Sequence, residues 1–153
     1  MKFLGLVLLF ALINFGGLGV GSWLMGEGPT SEWYLKLNKA PWTPPGWVFG
    51  VAWTTIMICY SFYLADLWSR PVPSKAWILF LVSLLLNISW NYFFFNLHST
   101  LMALAILVAL TVVIWFFFFE FKSEVKTKSF LLLPYMIWLL IAVSLNTFAV
   151  LKN

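Results

Sequence analysis

Hydrophobic positions in this chain are gathered into five long, nearly unbroken runs, at about residues 3–25, 47–67, 76–97, 101–119 and 130–151. Each holds roughly 19–23 residues, enough for a helix rising about 1.5 Å per residue to cross a hydrocarbon core of ~30 Å. None alternates polar and apolar residues as a membrane-barrel strand does, so helices are predicted throughout. The polar breaks are short, except for residues 26–46 between the first and second runs. The pattern predicts an all-α membrane protein: a five transmembrane helix bundle, one domain over residues 1–153, with a long first extramembrane loop. An odd number of spans without an internal repeat gives no sign of the matched halves from which many transporters are built. Met1-Lys2 ahead of an apolar stretch, with Gly19 and Gly21 as small residues, has features of a signal peptide. The run is long enough to span, and it is read as a retained helix.

Polar and small residues inside these runs fall into faces. Gly17 and Gly21 of the first span form a GxxxG pair that lets another helix approach closely. In the third span, Ser83, Asn87 and Asn91 are four apart and share a face, with Trp90 beside them. An amide in hydrocarbon needs partners, so this face either hydrogen-bonds to other helices or forms the polar wall of a pocket. In the fifth span, Trp138, Ala142 and Asn146 repeat the spacing, and the small residue beside tryptophan leaves a concavity suited to a flat ligand. Pro134 lies in that helix's first turn, where proline is tolerated. Trp23, Trp42, Trp47, Trp68 and Trp77 lie at helix ends and are read as interfacial anchors, and Trp115 as facing lipid. Trp53 lies about 9 Å below the surface at 1.5 Å per residue. With Trp90 and Trp138 it is too deep for that belt, and these three are the pocket candidates.

Composition narrows the chemistry. Hydrophobic residues make up 63% of the chain and charged ones 9%, against roughly 25% charged in a soluble domain. The net charge of +4 reports topology. Six basic residues (Lys2, Arg70, Lys75, Lys122, Lys126, Lys128) lie on the N-terminal side of the membrane and three (Lys36, Lys39, Lys152) on the other. That bias predicts a cytoplasmic N-terminus and an external first loop in a plasma membrane. No basic patch with interleaved aromatics lies outside the spans, so no nucleic acid is expected as partner. Asp66 and Glu120 lie at cytoplasmic helix ends and are read as solvated, and Cys59 as core packing. The single histidine, His98, cannot form a bis-histidine haem site or a multi-histidine metal site, so no metal is predicted. Without an ionisable group at depth, proton-coupled pumping and conventional acid–base catalysis are disfavoured. What remains is an aromatic, mildly polar cavity for a planar apolar ligand.

Three stretches carry a family likeness. "GEGPTSEWYLKLNKAPWTPPGWVFGVAW" (26–53), "LNISWN" (86–91) and "LLLPYMIWLLIAVSLN" (131–146) resemble the TspO/MBR family of translocator proteins, also called tryptophan-rich sensory proteins. The likeness covers nearly the whole chain, and its tryptophan-and-proline run with a PYxxW helix is specific. The chain looks like a bacterial-type member, integral to a bacterial plasma membrane. The resemblance implies a homodimer of five-helix bundles that binds porphyrins and, in many members, sterols and isoquinoline or benzodiazepine ligands. It also implies a pocket between the helices, closed by the first loop. By position, Trp53, Asn91 and Trp138 match ligand-contacting residues, and Asn87, Trp90, Ala142, Leu145 and Asn146 match pocket-lining or neighbouring ones. Trp33, Tyr34 and Trp42 match the aromatic part of the covering loop. Some bacterial members degrade protoporphyrin in light and oxygen, and the positions of Trp53 and Trp138 are those implicated, which makes them the candidate catalytic residues. No cofactor is required in this reading; porphyrin is the ligand. A transporter or carrier of porphyrin or sterol is the alternative.

The sequence departs from the family pattern in two places. "LNTFAVLK" (145–152) has Thr147 where the sterol motif of animal members needs tyrosine, which argues against sterol recognition by that route. The third span lacks the small-xxx-small pair with which some bacterial members dimerise. The first loop reads as a lid and its hinge. Pro41, Pro44 and Pro45 are expected to hold it extended and to start the second helix sharply. Gly46 permits the turn, and Trp42 and Trp47 pin the loop at the interface.

Overall fold

The computed structural model describes residues 2–153. Five helices are long and apolar enough to cross a membrane. They are α1 (Phe3–Leu24), α3 (Gly46–Trp68), α4 (Ser74–Asn91), α5 (Thr100–Glu120) and α7 (Leu133–Lys152). Short helices α2 (Glu32–Lys36) and α6 (Lys122–Val125) lie in the connections. Two spans differ from the uninterrupted helices expected. The third leaves α-geometry at Asn91 and continues as a π turn, Tyr92–Asn96. The fifth is preceded by a 3-10 run, Lys126–Leu132, so its α-helix starts three residues later than predicted.

The first loop is folded rather than extended. Gly26 and Gly28, at φ +59° and +51°, turn the chain out of α1, a conformation that costs glycine little. Ser31 then caps α2, its hydroxyl accepting from the Tyr34 N–H at 3.2 Å. Pro41 occupies the second position of a turn closed by Thr43 N–H donating to the Ala40 carbonyl at 2.9 Å, a position that suits its fixed φ. Pro45 stands immediately before α3 with φ −56°, and Gly46 is already helical. The turn is thus made by Pro41, and Gly46 contributes none of it.

The spans form a closed ring in the order α1, α3, α7, α5, α4. The GxxxG pair belongs to this packing. A Cβ on Gly17 would lie 2.6 Å from Leu84 Cδ1, and one on Gly21 2.7 Å from Asn91 Nδ2. Small residues here let α1 and α4 approach within one protomer. The end opposite the first loop is solid. Phe10, Tyr63, Phe80, Phe117, Phe121, Leu132 and Tyr135 are fully buried there. At mid-depth, polar bonds link the helices: Asn14 Nδ2 donates to Ser61 Oγ at 2.9 Å, Tyr60 and Ser83 pair at 3.1 Å, and Asn87 Nδ2 donates to the Tyr135 hydroxyl at 2.8 Å.

Several side chains sit differently from expectation. Asp66 is not solvated: it is buried, accepting from Arg70 Nη2 at 3.0 Å and from Lys128 Nζ, which brings the 3-10 run against α3. Glu120 pairs with Lys75. Trp68 is more than an anchor, for its ring packs among Phe10, Trp77 and Phe80. Trp115 is half-buried against the core, and Cys59 is half-buried rather than within the core. Trp23 and Trp47 are strongly exposed, as anchors should be.

Candidate ligand-binding site

The loop-1 end of the ring is hollow. It holds a cavity of about 630 Å³, within the range of roughly 300–1,000 Å³ that small-molecule sites occupy. Each wall follows from helical spacing. Trp138, Ala142, Leu145, Asn146 and Ala149 line it from α7, one stripe at the i, i+4, i+7, i+8, i+11 positions. Phe49 and Trp53, four apart, line it from α3, with Gly46 one turn above. Trp90 and Asn91 line it from α4, Phe94 and Phe95 from the π turn, and Leu107 from α5.

These walls are tied together by edge-on aromatic contacts. Phe49 meets Trp138 at 5.2 Å and 87°, and Trp53 meets Tyr135 at 6.0 Å and 76°. Trp90 stacks on Phe94 at 5.1 Å and 16°. The π turn inserts an extra residue per turn, and its Leu97 N–H donates to the Tyr92 carbonyl at 3.0 Å. Phe94 and Phe95, both on this turn, face the cavity as Trp90 and Asn91 do one turn earlier.

The amides are only partly free. Trp90 Nε1 donates to Asn146 Oδ1 at 3.1 Å, and Asn146 Nδ2 donates to the Thr100 carbonyl at 2.8 Å. Asn146 is therefore a cross-brace of α4, α5 and α7 as well as a wall residue. Asn91 Nδ2 donates to the Asn87 carbonyl at 3.3 Å, and among the described residues no donor reaches its Oδ1. Asn87 does not line the cavity. Its amide is spent on Tyr135, so of its two open readings the interhelical bond is the one present. Thr147, at the departed sterol position, donates to the Val143 carbonyl of its own helix at 2.7 Å.

The first loop covers the cavity. Tyr34, Leu37, Lys39, Ala40 and Pro44 face into it, and burial pushes the Tyr34 phenol above its ordinary pKa. Trp33, Trp42 and Pro45 do not line it. Trp33 stacks on His98 at 4.3 Å and 13°. Trp42 donates from Nε1 to Ser144 Oγ at 3.2 Å and packs edge-on against Phe148. A third fastening is polar. Asn38 N–H donates to Asn153 Oδ1 at 2.9 Å, Asn153 Nδ2 to the Asn38 carbonyl at 3.2 Å, and Asn38 Nδ2 to the Lys152 carbonyl at 3.1 Å. Substituting Asn153 with alanine removes two of these bonds. Amide exchange at residues 38–43 is expected to quicken about tenfold, the equivalent of one such bond. Hydrogen–deuterium exchange checks this, with the spans as unchanged reference; unaltered exchange at Asn38 would contradict it.

Phe49, Phe94, Phe95, Leu107 and Lys39 escaped the sequence reading. Phe94 and Phe95 stand four beyond Trp90 and Asn91, so extending those two faces by one turn would have found them. Phe49, four before Trp53, carried the same signal. Lys39 had none, since a loop has no periodicity to follow.

The model of the TspO/MBR family matches residues 8–151. The chain is similar to Tryptophan-rich protein TspO of Chlorobaculum tepidum, 34% identical over 122 residues that make up 77% of each chain. It is 31% identical to Protein CrtK of Rhodobacter capsulatus, over 74% of each chain. It is also 31% identical to the human Translocator protein, over 90% of this chain and 83% of that one. With five apolar helices in a ring and the family match running through all of them, this chain is an integral membrane protein that belongs to the TspO/MBR family.

Proposed function

We propose that the cavity receives a planar, mainly apolar tetrapyrrole of the protoporphyrin IX or haem type, and that the protein is a membrane-embedded binding protein for it. One observation carries this reading: a cavity of about 630 Å³ whose wall is built from the rings of Trp53, Trp90, Trp138, Phe49, Phe94 and Phe95. Flat π-systems gain from edge-on and offset contact with such rings. Isoquinoline-type ligands are flat and apolar and suit the same wall. The porphyrin is the ligand, and the binding needs no other cofactor. The distribution of lysine and arginine supports a cytoplasmic N-terminus with the lid outside. In this reading the protein sits in a bacterial plasma membrane, in contact with lipid, and works as a homodimer.

Titration with protoporphyrin IX, read by tryptophan fluorescence, tests the site. Saturable quenching is expected, weakened about two- to tenfold in Trp53→Phe and in Trp138→Phe, the worth of an aromatic contact. Linear quenching identical in all three proteins would overturn it.

A second reading has one observation in its favour: two oxidisable indoles, Trp53 and Trp138, both line the cavity. The bound porphyrin would absorb light, dioxygen would be the oxidant, and the macrocycle would be oxidised, with the protein supplying position. Oxygen-dependent bleaching of bound porphyrin that slows in both phenylalanine variants supports it. Bleaching at the rate of free porphyrin does not.

A further inference from the structure

The cavity is apolar almost throughout, and among the described residues Lys39 is the one charged side chain that lines it. Lys39 is exposed, so it stands at the mouth. Its ammonium is held in place from one side. Nζ donates to the Tyr34 carbonyl at 2.8 Å and lies 4.5 Å from the centre of the Tyr34 ring. Among the described residues it belongs to no ion pair. The nearest acid in sequence, Glu32, is taken by Lys36. An ammonium has three donors, and one is used here, so the others are free at the rim.

We propose that Lys39 makes this cavity selective for planar apolar ligands that carry a carboxylate at one edge, and that it fixes which edge faces out. The proposal deepens the tetrapyrrole reading and rests on it. The depth of the cavity supplies the other half of the argument. An anion inserted inward would lie among the rings of Trp53, Trp138, Phe49 and Phe95, where among the described residues no cation lines the wall to balance it. A desolvated charge without a partner is costly. At the mouth the same carboxylate meets a positioned cation and water. Charge at the lip thus orients the ligand, while the aromatic wall supplies most of the affinity.

The test compares protoporphyrin IX, a dicarboxylic acid, with its dimethyl ester in the wild-type protein and in Lys39→Met, in the same detergent. Partitioning of the two probes into detergent cancels in the comparison, because it is common to both proteins. In the wild type the acid-to-ester affinity ratio is expected to exceed that in Lys39→Met by about five- to tenfold, the scale of one partly exposed charge-assisted hydrogen bond. Added salt is expected to erode only the wild-type preference. Saturable binding with an equal ratio in both proteins would overturn the role of Lys39 and leave the tetrapyrrole site standing. Saturable binding of neither probe would overturn both.

Discussion

Removing both cations from Asp66, in Arg70→Ala/Lys128→Ala, is expected to destabilise the bundle by about 3 kcal/mol. The Asp66 side chain is only 5% exposed, whereas Arg70 and Lys128 are 44% and 51% exposed. The asymmetry fixes the order of the effects. The double variant leaves a buried carboxylate with no counter-charge, the costly outcome. Asp66→Asn leaves two half-exposed cations that water can solvate, and is expected to cost about 1–2 kcal/mol. Either single cation variant leaves one partner in place and costs less again. Lys36→Ala, which breaks an ion pair exposed on both sides, is expected to change nothing measurable. Unfolding in detergent, followed by heat or denaturant, ranks the variants. If Asp66→Asn proves as damaging as the double variant, the buried charge is not what the two cations serve. Asp66 lies near the end of α3 opposite the lid, so ligand affinity in the folded fraction is expected to be unchanged.

Asp66 also shows where sequence reading stopped. Its burial depends on Lys128, 62 residues away in the chain, and no local pattern connects the two. The five spans were legible because length and apolarity alone fix them. Trp53, Trp138 and Asn146 were legible as inward positions because an amide or a deep indole in hydrocarbon has few other places to go. Asn87 and Asn91 take different ones of the two open readings for a geometric reason. Residues four apart drift by about 40° around a helix, so the face of Ser83, Asn87 and Asn91 turns as it rises. Its upper member reaches the cavity, and the middle one reaches Tyr135. The lid was the least legible part. Its proline content predicted an extended segment, but a fixed φ suits a turn as well as an extended chain. Pro41 builds a turn, and the lid is closed by fastenings such as Trp42 to Ser144 and Asn38 to Asn153 that join distant parts of the chain. The π turn had no signal beyond a run of aromatics, because its geometry is set by the packing it serves.

Ala142 offers the most direct control over the cavity. It lies in the middle of the α7 stripe, with Trp138 one turn below and Asn146 one turn above, and all three line the cavity. Ala142→Phe places a ring in open space rather than in a packed core, so the usual overpacking penalty of about 1–3 kcal/mol is avoided. The empty protein is expected to keep its stability or to gain up to about 1 kcal/mol from the apolar contacts made. Protoporphyrin IX is expected to bind at least about tenfold more weakly, a loss of roughly 1.4 kcal/mol or more, because the added ring occupies ligand volume. Stability and affinity thus move in opposite directions, which a misfolded variant cannot imitate. Ala142→Ser separates volume from polarity: it adds one small group, and is expected to leave affinity within about twofold if it back-bonds to its own helix. Retention of full affinity by a stable Ala142→Phe protein would place the porphyrin elsewhere. The hollow end of the ring would then need a different occupant, and the preference assigned to Lys39 would lose its setting.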